Sequence, residues 1–454
     1  MKLKRPVLTV VVAGLLLLVA VIAVWRISLA SGNNARLRAI AARGEPVDLV
    51  ALDKFYASVP DGSNAALVWL KGVAAITSNS ENPSRHVSFK WNEPLSAEQL
   101  QTGIEVLSAN KEALALFRAA AALPGSRYPI VLSQYPVTNI QHLADVKSAA
   151  QLLRLEAVVA AQQGESRDSA AAIMRVFAAG RSLDTEPLLL SQLVRVGTDM
   201  IAVQSLQCAL NRTPFGEAEL AAMRVATSSA DNKDSLRLAM LGERASFITF
   251  ARDPQSALAP GPPGAPGGFE AIFAEVFLWP LASAVGFWKR DLRFGIDALT
   301  TNIMFAGLPA PQRFNAATNV ETIAKQAVAG RYILTGLLLP ALQKAFERDA
   351  RHSAEVRNAM VALAVERFRI ANAGRLPESA SDLAPVWLKE LPIDPYDGKP
   401  VRYKRTERGY VVYCIGPDQK DDGGLEKPAK VKETDSWDVT FIVERPPSKT
   451  QRSE

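Results

Sequence analysis

The chain has 454 residues, of which 48% are hydrophobic, 22% charged and 7% aromatic, enough for about three ordinary domains and too apolar for a disordered chain. Its 27 glycines and 28 prolines follow no period, which excludes collagen-like or low-complexity architecture, and two cysteines cannot staple a scaffold. The net charge of +6 comes from 52 basic and 46 acidic residues mixed along the chain. That is not the basic stripe a phosphate backbone needs, so no nucleic-acid partner is expected.

Val7 to Trp25 is a run of nineteen residues without a charge, matching the roughly 20 residues with which a helix crosses about 30 Å of hydrocarbon. Lys2, Lys4 and Arg5 precede it, and such a prefix stays on the cytoplasmic side, leaving the rest of the chain exported. Arg26, Arg36, Arg38 and Arg43 follow the run and weaken that asymmetry, but long domains translocate largely regardless of charge. Ser28-Leu29-Ala30 has the small residues of a signal-peptidase site, so a removable signal is the alternative. The run exceeds the roughly 7 to 15 apolar residues of such signals, and Trp25-Arg26 sits like an interfacial anchor. A retained single-pass anchor over 1–30 is therefore expected.

From 31 to 339 the composition and the recurrence of apolar residues at three and four predict an irregular all-helical domain. Asn64 starts a helix with Leu67, Leu70 and Val73 on one side, and Ser96 with Gln99 forms a capping box, with Glu98 in the first turn. Further helices are expected at 138–163, 167–182, 187–211, 216–229, 234–252, 269–305 and 317–338. Leu153 to Gly180 reads as a helical hairpin closed by Gly164, with Ala170, Ile173 and Phe177 facing back onto the first helix. No second copy occurs at a period near 34 residues, so a tetratricopeptide array is not expected. Residues 253–268, DPQSALAPGPPGAPGG, read as a Pro/Gly loop. The apolar stretch Phe269 to Trp288 has an uncharged core of thirteen residues, too short to cross a bilayer. It leaves two readings, docking on a membrane surface or burial in the helical domain.

A composition shift near Pro340 opens a small α+β module over 340–445, followed by a disordered tail at 446–454. Pro340 suits the first turn of a helix that runs to Asn372 and stops at Gly374. Met360 to Val365 is apolar nearly all round, which requires other structure on several sides. Alternation then predicts three short strands, with Val401 and Tyr403, then Tyr410, Val412 and Cys414, then Val439, Phe441 and Val443 on one face of an antiparallel sheet. The fold class is thus mainly α, with an N-terminal transmembrane helix and a C-terminal long helix plus three-stranded sheet.

The helix followed by RLPES, LPIDPYDGKPVRYKR and GYVVYCIGPDQKDDGG resembles the periplasmic domain of type II secretion major pseudopilins. The likeness covers about 85 residues and includes the D-P-x-x-G-x-P-x-x-Y turn and an acidic glycine-rich loop. Asp418, Asp421 and Asp422 supply hard carboxylate ligands, and Gly423 and Gly424 allow a tight path. The resemblance implies one structural calcium ion held by these three residues and by Asp438, with Asp435 a weaker substitute. A solvated acidic turn held by side-chain-to-backbone bonds is the alternative. The resemblance also implies a bacterial inner-membrane location with the C-terminal bulk periplasmic. The family's leader peptide, its glycine-ended peptidase site and its early helix glutamate have no counterpart near the N-terminal run, so polymerisation into a pseudopilus is not expected.

Catalytic signatures are sparse. No G-x-S-x-G, H-E-x-x-H, G-x-x-x-x-G-K or dinucleotide glycine pattern occurs. His352 with Glu355 and His142 with Asp145 read as solvated polar faces, and His86 as a surface loop residue. Cys208 and Cys414 read as buried free thiols. The expectation is a non-catalytic, membrane-anchored envelope protein that binds a protein partner. The alternatives are an extracytoplasmic, carboxylate-based hydrolase assembled from distant residues, and an accessory component of a type II secretion or pilus assembly.

Overall fold

The computed structural model describes residues 5–77, 89–135, 138–232, 234–253, 279–428 and 436–444. Its helices are α1 (Arg5–Ala42), α2 (Leu49–Phe55), α3 (Ala65–Ala74), α4 (Ala97–Ala109), α5 (Lys111–Ala121), α6 (His142–Gln163), α7 (Ser166–Arg181), α8 (Leu189–Leu210), α9 (Glu217–Ala230), α10 (Ser235–Arg252), α11 (Trp279–Ala284), α12 (Phe287–Ala306), α13 (Gln312–Ala329) and α14 (Ile333–Ala371). Three strands follow, β1 (Arg402–Arg405), β2 (Gly409–Cys414) and β3 (Val439–Glu444). His86, Asp435, most of the Pro/Gly loop at 253–268 and the tail at 446–454 lie outside the described residues.

The first helix runs unbroken for 38 residues, about 57 Å at the rise of an α-helix. Among the described residues it is the one helix long and apolar enough to cross a membrane, and its apolar window is unburied. The protein is thus membrane-anchored, with its bulk beyond a single N-terminal span. The same helix continues past the span into the folded body, where Leu29, Leu37 and Ile40 are buried. Arg36 forks onto Asp297 of α12 at 2.7 and 2.8 Å, and Arg293 Nη2 donates to Ser28 O at 2.9 Å. No linker separates anchor from body.

Several helix ends follow from local chemistry. Asn64 caps α3 by accepting from Ala66 N–H, Ser96 and Gln99 form the capping box of α4, and Gly164 closes α6 at φ 80°. The α6–α7 hairpin is present, with Ala170, Ile173 and Phe177 buried. Gly242 in α10 is required by close approach, since a Cβ there would lie 1.7 Å from Pro187 O.

Leu67, Leu70 and Val73 of α3 are half-buried, with Leu70 and Val73 packed against the core, while its fully buried side is Ala65, Ala66, Trp69 and Gly72, where Gly72 admits the Phe117 ring, 5.2 Å from that of Trp69. Three expectations about helices are corrected. The helix expected at 269–305 is interrupted by Gly286, in the left-handed conformation at φ 78° against Leu29 and Arg26 of α1. The helix expected at 317–338 ends at Ala329, where Gly330 O accepts from Arg290 Nη2 and Tyr332 stacks on Phe294 at 4.2 Å. The last helix begins at Ile333, so Pro340 sits inside it. Burial of Leu334, Leu339 and Leu342, worth about 2 kcal/mol each, outweighs the backbone bond that proline cannot make.

One cluster of buried side chains joins α1, α10, α12, α13 and the first half of α14. A larger one joins α2 to α9, the second half of α14 and the sheet. The sheet is antiparallel in the order β1-β2-β3, with Tyr403 opposite Val412, Val412 opposite Phe441 and Cys414 opposite Val439, as the alternation predicts. Asn358 of α14 donates to Val439 O at 2.7 Å and accepts from Cys414 Sγ at 3.3 Å, and both cysteines are buried and free.

Because Pro340 is exposed and leaves Gly336 O without its helical donor, Pro340→Ala should stabilise the chain by about 1–2 kcal/mol, the relief of the helix less the stiffness proline gives the unfolded chain. A raised midpoint in thermal melts of the detergent-solubilised chain checks this; an unchanged or lowered one refutes it.

Candidate functional site

The acidic loop leaves β2 at Cys414 and returns at the start of β3. Gly423 and Gly424 take left-handed conformations at φ 71° and 83°, and a Cβ on Gly424 would press on Val411 and Tyr413 at 3.0 and 3.2 Å. Asp438, buried at the head of β3, accepts from Gly424 N at 2.7 Å and from Asp422 N at 3.3 Å. It therefore pins the loop to the sheet. Asp418 and Asp422 both lie within hydrogen-bond reach of the Ser436 hydroxyl, whose one proton goes to either, so the two carboxylates meet at one point.

Asp421 is turned away from that point. It accepts from Gly423 N at 3.1 Å and from Arg402 Nε at 2.9 Å. Arg402 also donates to Asp394 at 2.8 Å and to Asp397 at 2.6 Å, so one guanidinium ties the D-P-x-x-G turn to the acidic loop. Burial works against the Arg402 charge, but its bonds and the fields of Asp397 and Asp394 prevail and raise its pKa. Burial also raises the Asp421 carboxyl, but the Gly423 N–H and Arg402 outweigh it and leave the value lowered. Asp438 goes the other way, raised by burial and by the neighbouring charges of Asp421 and Asp422 against its two backbone donors.

The oxygens of Asp418, Asp422 and Asp438, with the Ser436 hydroxyl, have the hard-donor chemistry calcium takes. Among the described residues no lysine or arginine forms an ion pair with any of these three carboxylates. As placed, however, no group of three or more His, Cys, Asp or Glu among the described residues is gathered closely enough to hold a metal. The set fits a calcium ion in ligand type.

The two described histidines are not solvated. His142 is buried with Nε2 3.0 and 3.1 Å from the Glu186 oxygens, and its ring stacks on Tyr128 at 4.5 Å. Tyr56 and Ser191 also donate to Glu186. His352 is buried with Nε2 3.0 Å from Asp199, whose same oxygen accepts from Arg195 at 3.0 Å. Arg195 completes its shell with Gln192 and Ser235. The neighbours expected for these histidines lie elsewhere, Asp145 on Gln141 and Glu355 on Arg351. Glu186 and Asp199 are 44 and 153 positions from their histidines, so helix spacing could not disclose them.

Glu186, His142 and Ser191 have the composition of a hydrolytic triad without its wiring. Hydroxyl and imidazole both bond to the carboxylate, so the imidazole is not set to take the hydroxyl proton. Burial pushes Asp184 and Asp394 up to about 6 and Glu243 up to about 7. None of these three lines the junction clefts between helical body and sheet module.

The larger of these clefts, of 620 Å³, lies between the 89–93 segment, α8, α14 and the start of β3, with Phe89, Trp91, Trp437 and Phe441 along its walls. Trp91 Nε1 donates to Glu426 at 2.8 Å, and Lys427 Nζ stands 5.1 Å over the Trp437 ring. The second, of 460 Å³, is lined by Arg224, Arg313 and Arg357 among others; Arg313 pairs with Asp349 and Arg357 with Asp231. Sequence reading missed both, because each wall comes from a different part of the chain. Comparison of the chain with protein-family models, with curated proteins and with solved structures returned no match.

Asp184, 3.7 Å from Arg195, gives a pH test. Its folded pKa of about 6 lies above the ordinary 3.8, so the folded chain keeps a proton that the unfolded chain releases. The resulting stability is full below about pH 4 and fades as pH rises towards 6. Asp184→Asn should flatten that part of the profile and raise stability at pH 7 by about 1–3 kcal/mol; an unchanged slope in melts across this range refutes the assignment.

Proposed function

We propose that this chain is a non-catalytic protein of the bacterial envelope, held in the inner membrane by α1 with its bulk in the periplasm, where it binds a protein partner. The observation that carries the reading is the 620 Å³ cleft with Phe89, Trp91, Trp437 and Phe441 along its walls. Half-buried tryptophans beside charged side chains are what an extended peptide segment uses as anchor points, since each offers a large rigid apolar area and one polar handle. The cleft joins the helical body to the pseudopilin-like module, so a partner seated there would engage both. An accessory place in a type II secretion or pilus assembly is the specific form of this reading, supported by the order of helix, D-P-x-x-G turn, hairpin and acidic loop.

Calcium belongs to the same reading as a structural ion. Asp418, Asp422 and Asp438 would hold it with Ser436, and it would supply the positive charge that no described lysine or arginine brings to these carboxylates. Asp421 contributes by fixing the loop through Arg402.

Two measurements test these readings. Chain solubilised from membranes after cross-linking should carry one recurrent protein, identified by mass spectrometry. Trp437→Ala should cost about 2–4 kcal/mol of that association, a loss of roughly 30-fold or more; recovery of the bare monomer, or capture unaffected by this change, refutes partner binding at the cleft. Calcium at about 100 times its dissociation constant should add about 2.7 kcal/mol of stability. Magnesium should not replace it, and Asp422→Asn should abolish the gain; a melting point indifferent to calcium refutes the ion.

A further inference from the structure

The apolar run of α1 ends at Trp25, so Arg26 stands where the helix leaves the hydrocarbon. At this level α1, the end of α10 and the start of α12 enclose a cleft of 360 Å³. Arg26, Arg252 and Lys289 line it, and among the described residues no acidic side chain does. Arg252 has Asp48 3.6 Å away, both side chains being partly exposed.

Asn33 adds the second requirement. It is 4% exposed and lines the same cleft. Its Nδ2 donates to Lys289 O at 2.9 Å, whereas its Oδ1 is buried with no hydrogen-bond partner among the described residues. A buried amide oxygen of this kind calls for a donor from the occupant. Three cations ask for an anion, and they disfavour an ammonium as that donor. A hydroxyl satisfies both conditions.

We propose that this cleft binds the headgroup of an anionic glycerophospholipid, with the phosphodiester against Arg26, Arg252 and Lys289 and a headgroup hydroxyl donating to Asn33 Oδ1. The acyl chains then run beside the exposed Val19 and Leu16, which lie on the same side of α1 as the cleft residues Arg26, Ala30 and Asn33. Depth is set by the unbroken helix. Because α1 is fastened to α12 by Arg36–Asp297 and by Arg293 on Ser28 O, a lipid held here fixes the tilt of the folded body over the bilayer. The inference stands apart from partner binding and calcium, since none of its residues belongs to either place.

The full chain in a neutral detergent is incubated with equal amounts of phosphatidylglycerol, phosphatidylmethanol, phosphatidylethanolamine and phosphatidylcholine, and retained lipid is read by native mass spectrometry. Phosphatidylglycerol should be retained above the two zwitterionic lipids, and above phosphatidylmethanol, which has the charge without the hydroxyl. Arg26→Gln and Lys289→Gln should each lower the preference for phosphatidylglycerol over phosphatidylcholine about fivefold, the effect of one cation at a membrane surface. Each variant should keep the parent's melting point without lipid, which separates loss of the cleft from loss of the fold. Equal retention of phosphatidylglycerol and phosphatidylcholine, or a preference unmoved in both variants, overturns the proposal. Displacement of the lipid by millimolar inorganic phosphate would mark a site for free phosphate and overturn the lipid as its occupant.

Discussion

Along α14 the residues from Ala359 to Val365 leave almost no face for water, and the rest of the fold is arranged around enclosing them. Helices α8 and α9 pack on one flank and strands β2 and β3 on another, while the first half of the same helix lies against α12 and α13. A helix buried on several sides has its stability supplied by its neighbours rather than by its own propensity. That explains how Pro340 is carried within it, and why the hydrophobic cluster containing the sheet extends without a break to α2. The junction clefts are consequences of the same arrangement: they form where loops of different origin meet over this one rod.

At the other end of the molecule, α1 transmits position instead of collecting contacts. A single helix passes from the apolar span into the body, so the body cannot swing as it would on a flexible tether. Its fastening to α12 uses one bidentate pair, one arginine on backbone carbonyls and the Asn33 amide on Lys289 O. Gly286 turns the chain beside Arg26 and Leu29, which places the start of α12 next to the end of the apolar run of α1. Of the apolar stretch Phe269 to Trp288, residues 269–278 lie outside the described residues, and Trp288 at its end is buried in the body.

Arg195, Asp199, His352, Glu186 and His142 are all buried and are bonded to partners that include residues from distant parts of the chain, His142 to Glu186 and His352 to Asp199. Such groups add little net stability over apolar packing, but removing one partner strands the other in a low dielectric. They therefore fix which helices face each other. The acidic loop follows the same logic at the surface, where Arg402 and Asp438 hold a path that the carboxylates alone would resist.

Much of the architecture was legible in the sequence because its signals are local. The uncharged run at 7–25, the Ser96–Gln99 box, the Gly164 cap and the period of two in the strands each act within a few residues, so composition and spacing determined them. The acidic loop of Asp418, Asp421 and Asp422 with its two glycines was legible for the same reason, whereas Asp438 entered only through the resemblance to pseudopilins. Pairings across distance could not be read. Glu186 finds His142, Asp199 finds His352, and Arg402 draws Asp421 out of the acidic set, because burial in a shared core decides which polar groups must satisfy one another, and no spacing records that. The cation-lined cleft beside the end of the apolar run belongs to this second class: Arg26, Arg252 and Lys289 become neighbours only once α1, α10 and α12 have packed.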